Sequence, residues 1–200
     1  YLKRKFPNAC TGSFVDWEPI DTYIVRAADV RKVRPASSKD SLEQKDKMLA
    51  GEAVQFLTQQ NPHAVFVYFG QVDEVGHRDG FHPSVPSYLQ AIQTVDVHIA
   101  SLIGAIQSRP DHVQENWLII ISTDHGGRGR KHRGGHDVPE IVTTFLVVSG
   151  ETSMKGEIEE PSYIVDVPVI ALTHLGVPIE GAWQLDGKAV GIRQEFLNDQ

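Results

Sequence analysis

Two stretches of this chain bring carboxylates and imidazoles together where an apolar run ends. In the first, Trp117 to Ile121 leads into Ser122, Thr123, Asp124 and His125, and the backbone then passes Gly126, Gly127 and Gly129. A carboxylate beside a neutral imidazole is a ligand pair suited to Zn2+, Mn2+ or Fe2+. Adjacent strand residues point to opposite faces, so Asp124 and His125 reach one ion only where the strand has ended and turned. The glycines are expected to supply that turn through positive φ. A capped turn accounts for an isolated Asp-His equally well. The second stretch, Ala64 to Gly70, reads AVFVYFG and runs into Asp73 and His77. Standing four apart, these two share a face if the chain turns helically after the strand. The plainer alternative makes Asp73 a helix N-cap and His77 a loop residue.

His132 and His136 lie further along the first stretch, and either is placed to complete a site. Arg128, Arg130, Lys131 and Arg133 are interleaved with them. A solvated basic loop is the ordinary account of such charges. In a chain of formal net charge -7, a cationic cluster beside metal-ligating residues reads instead as a receptor for an anion, phosphate above all. Arg128 and Arg130 are therefore candidate substrate-binding residues.

The elements that must position these groups follow from hydrophobic pattern. Leu2 to Phe6 ends a helix at Pro7, Thr11 to Trp17 reads as a strand, and Asp21 to Val30 as a further short strand. Ser37, Ser38 and Asp40 are candidate caps for a helix from Ser41 to Gln59, with Leu42, Met48, Leu49, Ala53, Val54 and Leu57 at helical spacing. Pro62 breaks that helix before the Ala64 strand, which makes a β-α-β unit. Pro83 and Pro86 introduce a long helix to about Arg109, containing Asp96 and His98, with His98 a surface or packing residue. Thr143 to Gly150 is a third clear strand, Ile164 to Leu175 a helix, Pro178 to Gly187 with Val190 a set of closing turns and a hairpin, and Phe196 to Gln200 a frayed end. Helix after strand, repeated, implies right-handed crossovers and a largely parallel sheet, and acids at the carboxyl ends of its strands lie where such folds bind ligands.

The segment YFGQVDEVGHRDGFHPSVPSYLQAIQTVDVHIASLI, followed by IIISTDHGG and a glycine-flanked histidine, resembles the type I phosphodiesterase and nucleotide pyrophosphatase branch of the alkaline phosphatase superfamily. The resemblance rests on an ordered set: strand, DxxxH, long helix, strand, TDHGG, then His. It implies an α/β three-layer sandwich, a mostly parallel central sheet with helices on both faces. It implies two divalent metal ions, usually Zn2+ with Mn2+ as the alternative, held by three Asp and three His. By motif, Asp73 and His77 correspond to ligands of one metal and Asp124 and His125 to ligands of the other. The remaining ligand falls on His132 when counted forward from His125, and on His136 when counted back from Pro139 and Glu140; the forward count is slightly preferred. The family's first metal-binding Asp and its Ser or Thr nucleophile precede everything matched here. Residues 1–200 are accordingly expected to be the C-terminal portion of one catalytic domain, its N-terminal part missing, inactive alone. The implied reaction is hydrolysis of a phosphate ester or diester, with a metal-activated hydroxyl nucleophile and a covalent phospho-enzyme. Sulfatases, phosphomonoesterases and phosphoethanolamine transferases share this scaffold, and a non-catalytic metal-binding module is the alternative outside enzymes.

Composition narrows the remaining classes. Hydrophobic content of 40% and charged content of 22% are ordinary for a globular domain able to bury a core. The single Cys10 excludes an internal disulfide and is expected to be a small hydrophobe. No run of apolar residues reaches the roughly 18 needed to span a bilayer, so no transmembrane segment is expected. A small-molecule phosphate ester is the expected partner, and duplex nucleic acid is not. Relatives of this kind often work in the periplasm or outside the cell.

Overall fold

The computed structural model describes residues 1–35, 37 and 39–197. Two compact units result: a three-stranded unit of Ala9–His112 with Gly127–His132, and a two-stranded unit of Tyr1–Asn8, Val113–Gly126 and Arg133–Gln200. The chain enters the three-stranded unit a second time through the loop that carries Arg128, Arg130 and His132.

In the three-stranded unit, β1 (Thr11–Val15), β2 (Val30–Val33) and β3 (Ala64–Tyr68) form a parallel sheet in the order β2-β1-β3. Gly12 pairs with Val30 on one side and with Val65 on the other. The expected strand over Asp21–Val30 is instead helix α2 (Glu18–Tyr23) followed by the later strand β2. Pro19 at the start of α2 favours a helical first turn. Asp21 on α2 accepts from two Arg31 nitrogens of β2, Nε at 2.7 Å and Nη2, which ties helix to strand.

Helix α3 (Leu42–Gln59) opens with a capping box. The Ser41 hydroxyl accepts from Gln44 N at 3.2 Å and the Gln44 side chain accepts from Ser41 N at 2.9 Å. The cap is therefore Ser41 and not Ser37 or Asp40; Ser38 lies outside the described residues. Leu49, Ala53 and Phe56 of α3 bury against Phe14 of β1, with Cys10, Val65, Val67 and Leu102 packed around them. Burying each of the larger side chains, Leu49, Phe56 and Phe14, contributes about 1.5–3 kcal/mol. Arg109 closes the far end, donating to the Leu57 and Gln60 carbonyls and so satisfying acceptors that a helix C-terminus leaves open.

Helix α4 (Gln71–Asp79) follows β3 after two residues, and α5 (Pro86–Gln107) packs on α3 and α4. By length and composition alone α5 is long and apolar enough to cross a membrane, a test that a helix packed in a core also passes. Counting unbroken apolar runs did not anticipate this, because Gln90, Gln93, Thr94, Asp96 and His98 interrupt every run. His98 packs its ring on Phe69 at 5.5 Å, and burial lowers its pKa, as a packing histidine would show.

In the two-stranded unit, α1 (Leu2–Lys5) begins the chain, and β4 (Leu118–Ser122) pairs with β5 (Leu146–Gly150). The pairing is antiparallel, from Leu118 opposite Gly150 to Ser122 opposite Leu146, and β5 begins later than the Thr143 expected. The link between the strands contains a 3-10 turn at Gly135–Asp137 and the four-residue α6 (Pro139–Val142). No long crossover helix carries the chain back for a parallel return. Helix α7 (Asp166–His174) buries Ile170 against Val190 and Ile192, with Leu118, Ile120, Leu146 and Val148 around them. Buried Asp166 accepts from Tyr163 N and Lys188 N, both at 2.7 Å. The closing hairpin expected near Val190 is replaced by a 3-10 turn at Gly181–Trp183 and a single bridge between Ser153 and Ile192. Gln194–Phe196 is a further 3-10 turn, and residues 198–200, expected to fray, lie outside the described residues.

Candidate metal site

Asp73 occupies the first turn of α4 and His77 the next, so the i,i+4 spacing does place both on one face. A carboxylate there also meets the positive end of the helix dipole. His77 Nε2 lies 3.5 Å from Asp73 Oδ2. Its other nitrogen, Nδ1, lies 3.0 Å from the Arg130 carbonyl, an acceptor that requires the proton on Nδ1 and leaves the lone pair of Nε2 towards the carboxylate. His132 Nε2 faces the second oxygen, Asp73 Oδ1, at 4.0 Å, and the two imidazole rings meet edge to face at 4.8 Å.

These separations exceed the 2.7–3.2 Å of a hydrogen bond. Ligand atoms about 2.0–2.2 Å from a shared cation stand roughly 3–4 Å from one another, so each imidazole-to-carboxylate spacing leaves room for an ion. Asp73 Oδ1 adds a second fitting feature: it is buried and has no hydrogen-bond partner, a costly state for a carboxylate oxygen unless a cation satisfies it. The residues present fit a divalent metal of the Zn2+ or Mn2+ type.

The loop that delivers His132 is a tight turn closed by reciprocal bonds, Arg128 N to Lys131 O at 2.9 Å and Lys131 N to Arg128 O at 3.2 Å. Gly129, the first of its two central residues, has φ +61°, the signature of a type II′ turn. Phe81 anchors it by donating its N–H to Gly129 O at 2.7 Å and setting its ring 5.3 Å from that of His77. Of the three glycines expected to loosen this stretch, only Gly129 uses positive φ. Gly126 and Gly127 are there for close approach: a Cβ would meet the Glu140 carbonyl oxygen at 2.2 Å or the Phe81 ring at 2.3 Å. Neither Phe81 nor the Arg130 carbonyl carries a sequence signal, since an aromatic in a loop and a peptide oxygen look alike everywhere.

Asp124 and His125 stand just beyond β4 in the two-stranded unit. His125 Nε2 is 3.7 Å from Asp124 Oδ2, and Asp124 Oδ1 accepts from His125 N at 3.1 Å. His125 Nδ1 lies 2.9 Å from the Gly126 carbonyl, the same tautomer-setting arrangement as at His77. Gly126 N bonds the Ile141 carbonyl at 2.8 Å, so α6 seats the turn. His136 belongs to this unit too, exposed on the 3-10 turn Gly135–Asp137, whereas His132 belongs to the unit that holds Asp73 and His77. Arg128 and Arg130 are exposed at the turn. Arg130 acts electrostatically on Asp79, which Arg78 and Ser87 bind at 2.8 and 2.6 Å and which is held down at about 2.

The profile of the type I phosphodiesterase / nucleotide pyrophosphatase family matches residues 7–151, and the chain belongs to that family. The solved structure of Ps i-CgsB is similar over the whole of this chain, with a TM-score of 0.69 at 14% identity. The chain spans 57% of that chain's length, and at such identity the likeness is one of fold. A search of curated proteins finds no match.

Proposed function

We propose that this chain contributes to metal-dependent hydrolysis of phosphate esters or diesters, with one divalent cation on Asp73, His77 and His132 and a second on Asp124 and His125. The observation that supports it most is the buried, unpartnered Asp73 Oδ1 with two imidazole nitrogens turned to the same carboxylate. Membership of the family supports the reaction class. A cation held there supplies Lewis-acid stabilisation of charge on a phosphoryl oxygen. The chain's own residues do the rest that can be assigned. Asp73 provides the negative charge, the Arg130 carbonyl keeps His77 in its ligating tautomer, and Phe81 keeps the turn in place so that His132 stays beside the carboxylate. The guanidinium groups of Arg128 and Arg130 engage the non-bridging oxygens of the substrate. No residue of this chain is assigned as the nucleophile.

Two measurements test this. Zn2+ and Mn2+ are titrated into the chain and the bound ions counted by mass spectrometry under native conditions; about two per chain are expected, with one lost in Asp73→Asn and in His132→Ala. No bound ion at saturating metal would overturn the proposal. For the metal-loaded protein, kcat/KM for bis-p-nitrophenyl phosphate should exceed that for the monoester and the sulfate and collapse in Asp124→Ala. A preference for the sulfate or the monoester would reassign the substrate, and no turnover with metal bound would leave a binding module.

A further inference from the structure

Helix α4 starts without a cap of its own. Its N-cap residue is Gly70, which has no side chain to accept from the first-turn N–H groups. Two carboxylates from other elements take that place. Asp16, the residue after β1, accepts from Gly70 N at 3.1 Å. Asp46, on α3, accepts from Gln71 N at 3.2 Å. Gly70 is needed for this approach, because a Cβ would lie 2.4 Å from Asp16 Oδ2.

Asp46 is fully buried, and its second oxygen, Oδ1, has no hydrogen-bond partner. An orphaned buried carboxylate oxygen next to a second carboxylate is relieved most simply by a proton, which turns an acceptor into a donor towards Asp16. Burial is the main cause pushing both carboxyls up, Asp16 to about 6 and Asp46 to about 8, and the charge of Asp16 adds to the rise at Asp46. The surrounding charges do not remove the need for that proton. Lys45 of α3 lowers Asp16 but donates its Nζ to the Pro35 carbonyl at 3.1 Å; α4 itself brings only the acids Asp73 and Glu74 to its first turn; and Tyr88 of α5 feels its own burial and Asp73.

We propose that Asp16 and Asp46 form a carboxyl pair sharing one proton, which caps α4 from outside and so positions Asp73 and His77. Its importance for metal binding rests on the function proposed above; the capping does not. With one proton the pair presents a single negative charge to the positive helix start, enough to satisfy both N–H groups without two anions repelling in a buried site. Asp16 and Asp46 are positioning residues: they touch the start of α4, within one helical turn of Asp73.

Asp46→Asn mimics the protonated acid: its carbonyl still accepts from Gln71 N and its amide still donates. Asp46→Ala removes both. Backbone amide exchange of Gly70 and Gln71, corrected for intrinsic rates, is expected to rise about fivefold or more in Asp46→Ala, the scale of a lost helix cap, and little in Asp46→Asn. The native state binds the extra proton, so wild-type stability is lost as pH rises towards about 8. Between about 6, where Asp16 titrates, and about 8 that slope belongs to Asp46. The unfolding constant of wild type relative to Asp46→Asn should therefore climb by up to roughly tenfold per pH unit across that window. Mn2+ affinity should survive Asp46→Asn and fall in Asp46→Ala. The proposal is overturned if Asp46→Asn exposes the two amides as much as Asp46→Ala does, or if the relative unfolding constant is flat across the window. Absence of Mn2+ binding in wild type, with the exchange and pH results as expected, would sink the metal function and leave the carboxyl pair standing.

Discussion

Arg130 serves the candidate site through two atoms with different jobs. Its carbonyl sets the His77 tautomer, and its guanidinium sits exposed on the turn. The two are separable by mutation. Arg130→Ala keeps the carbonyl, so Mn2+ affinity measured by calorimetry should change by no more than about threefold, while binding of inorganic phosphate to the metal-loaded chain should weaken by roughly 1.5–3 kcal/mol, the worth of a hydrogen bond to a charged group. A large loss of Mn2+ affinity in Arg130→Ala would show that the peptide oxygen is not what orients the imidazole. Phe81→Ala should do the reverse, loosening the turn and costing metal affinity about tenfold, as loss of an outer-shell support does, with phosphate affecting the loaded remainder as before.

Among the elements, α3 and the turn after β4 make opposite demands on local chemistry. Ser41 begins α3 by a reciprocal hydrogen-bonded box, and Ser41→Ala should lower unfolding free energy by about 1 kcal/mol in urea titration. The turn after β4 tolerates no side chain at residue 126, because a Cβ meets the Glu140 carbonyl at 2.2 Å. Backbone cannot rotate away as a flexible side chain would, so Gly126→Ala should cost about 1–3 kcal/mol and displace Asp124 and His125. Equal stability of that variant and wild type would mean that α6 does not seat the turn. The amphipathic spacing of α3 was readable in the sequence to the residue at its C-terminal end. Its cap was not, since Ser37, Asp40 and Ser41 all suit an N-cap and only the path of the chain selects among them.

On the scale of the whole molecule, acid should act through His174 in the two-stranded unit. Its Nε2 lies 2.9 Å from the Asn116 carbonyl and its Nδ1 2.9 Å from the Thr152 hydroxyl, so the neutral ring donates at one nitrogen and accepts at the other. Burial lowers its pKa from 6.5. The unfolded chain then binds more protons than the native one just below that value, so the stability His174 contributes is complete above 6.5 and is lost as pH falls from there. The Asp16 and Asp46 carboxyls pull the other way over the same range, so the readout is the difference: the Tm of wild type should drop relative to that of His174→Gln as pH falls, and parallel curves would assign the acid sensitivity elsewhere. The family and the α/β class were legible from an ordered string of motifs, because strand, acid, helix and glycine each leave a periodic or compositional mark. The direction of β5 was not, because an antiparallel and a parallel strand carry the same apolar run.

What the sequence determined alone is the chemistry available: which carboxylates and imidazoles follow which strands, and that Asp73 and His77 share a face once the chain turns helically there, as a period of 3.6 residues requires. Tertiary structure decided which imidazole stands beside Asp73 within its own unit. His132 and His136 are equivalent by type and nearly so by spacing, and only the Arg128–Lys131 turn, pinned by Phe81, places His132 beside Asp73. It also decided that Asp16 and Asp46 hold the start of α4, residues 30 apart in sequence whose joint burial no local pattern encodes, because two acids become a proton-sharing pair only when packing removes the water between them.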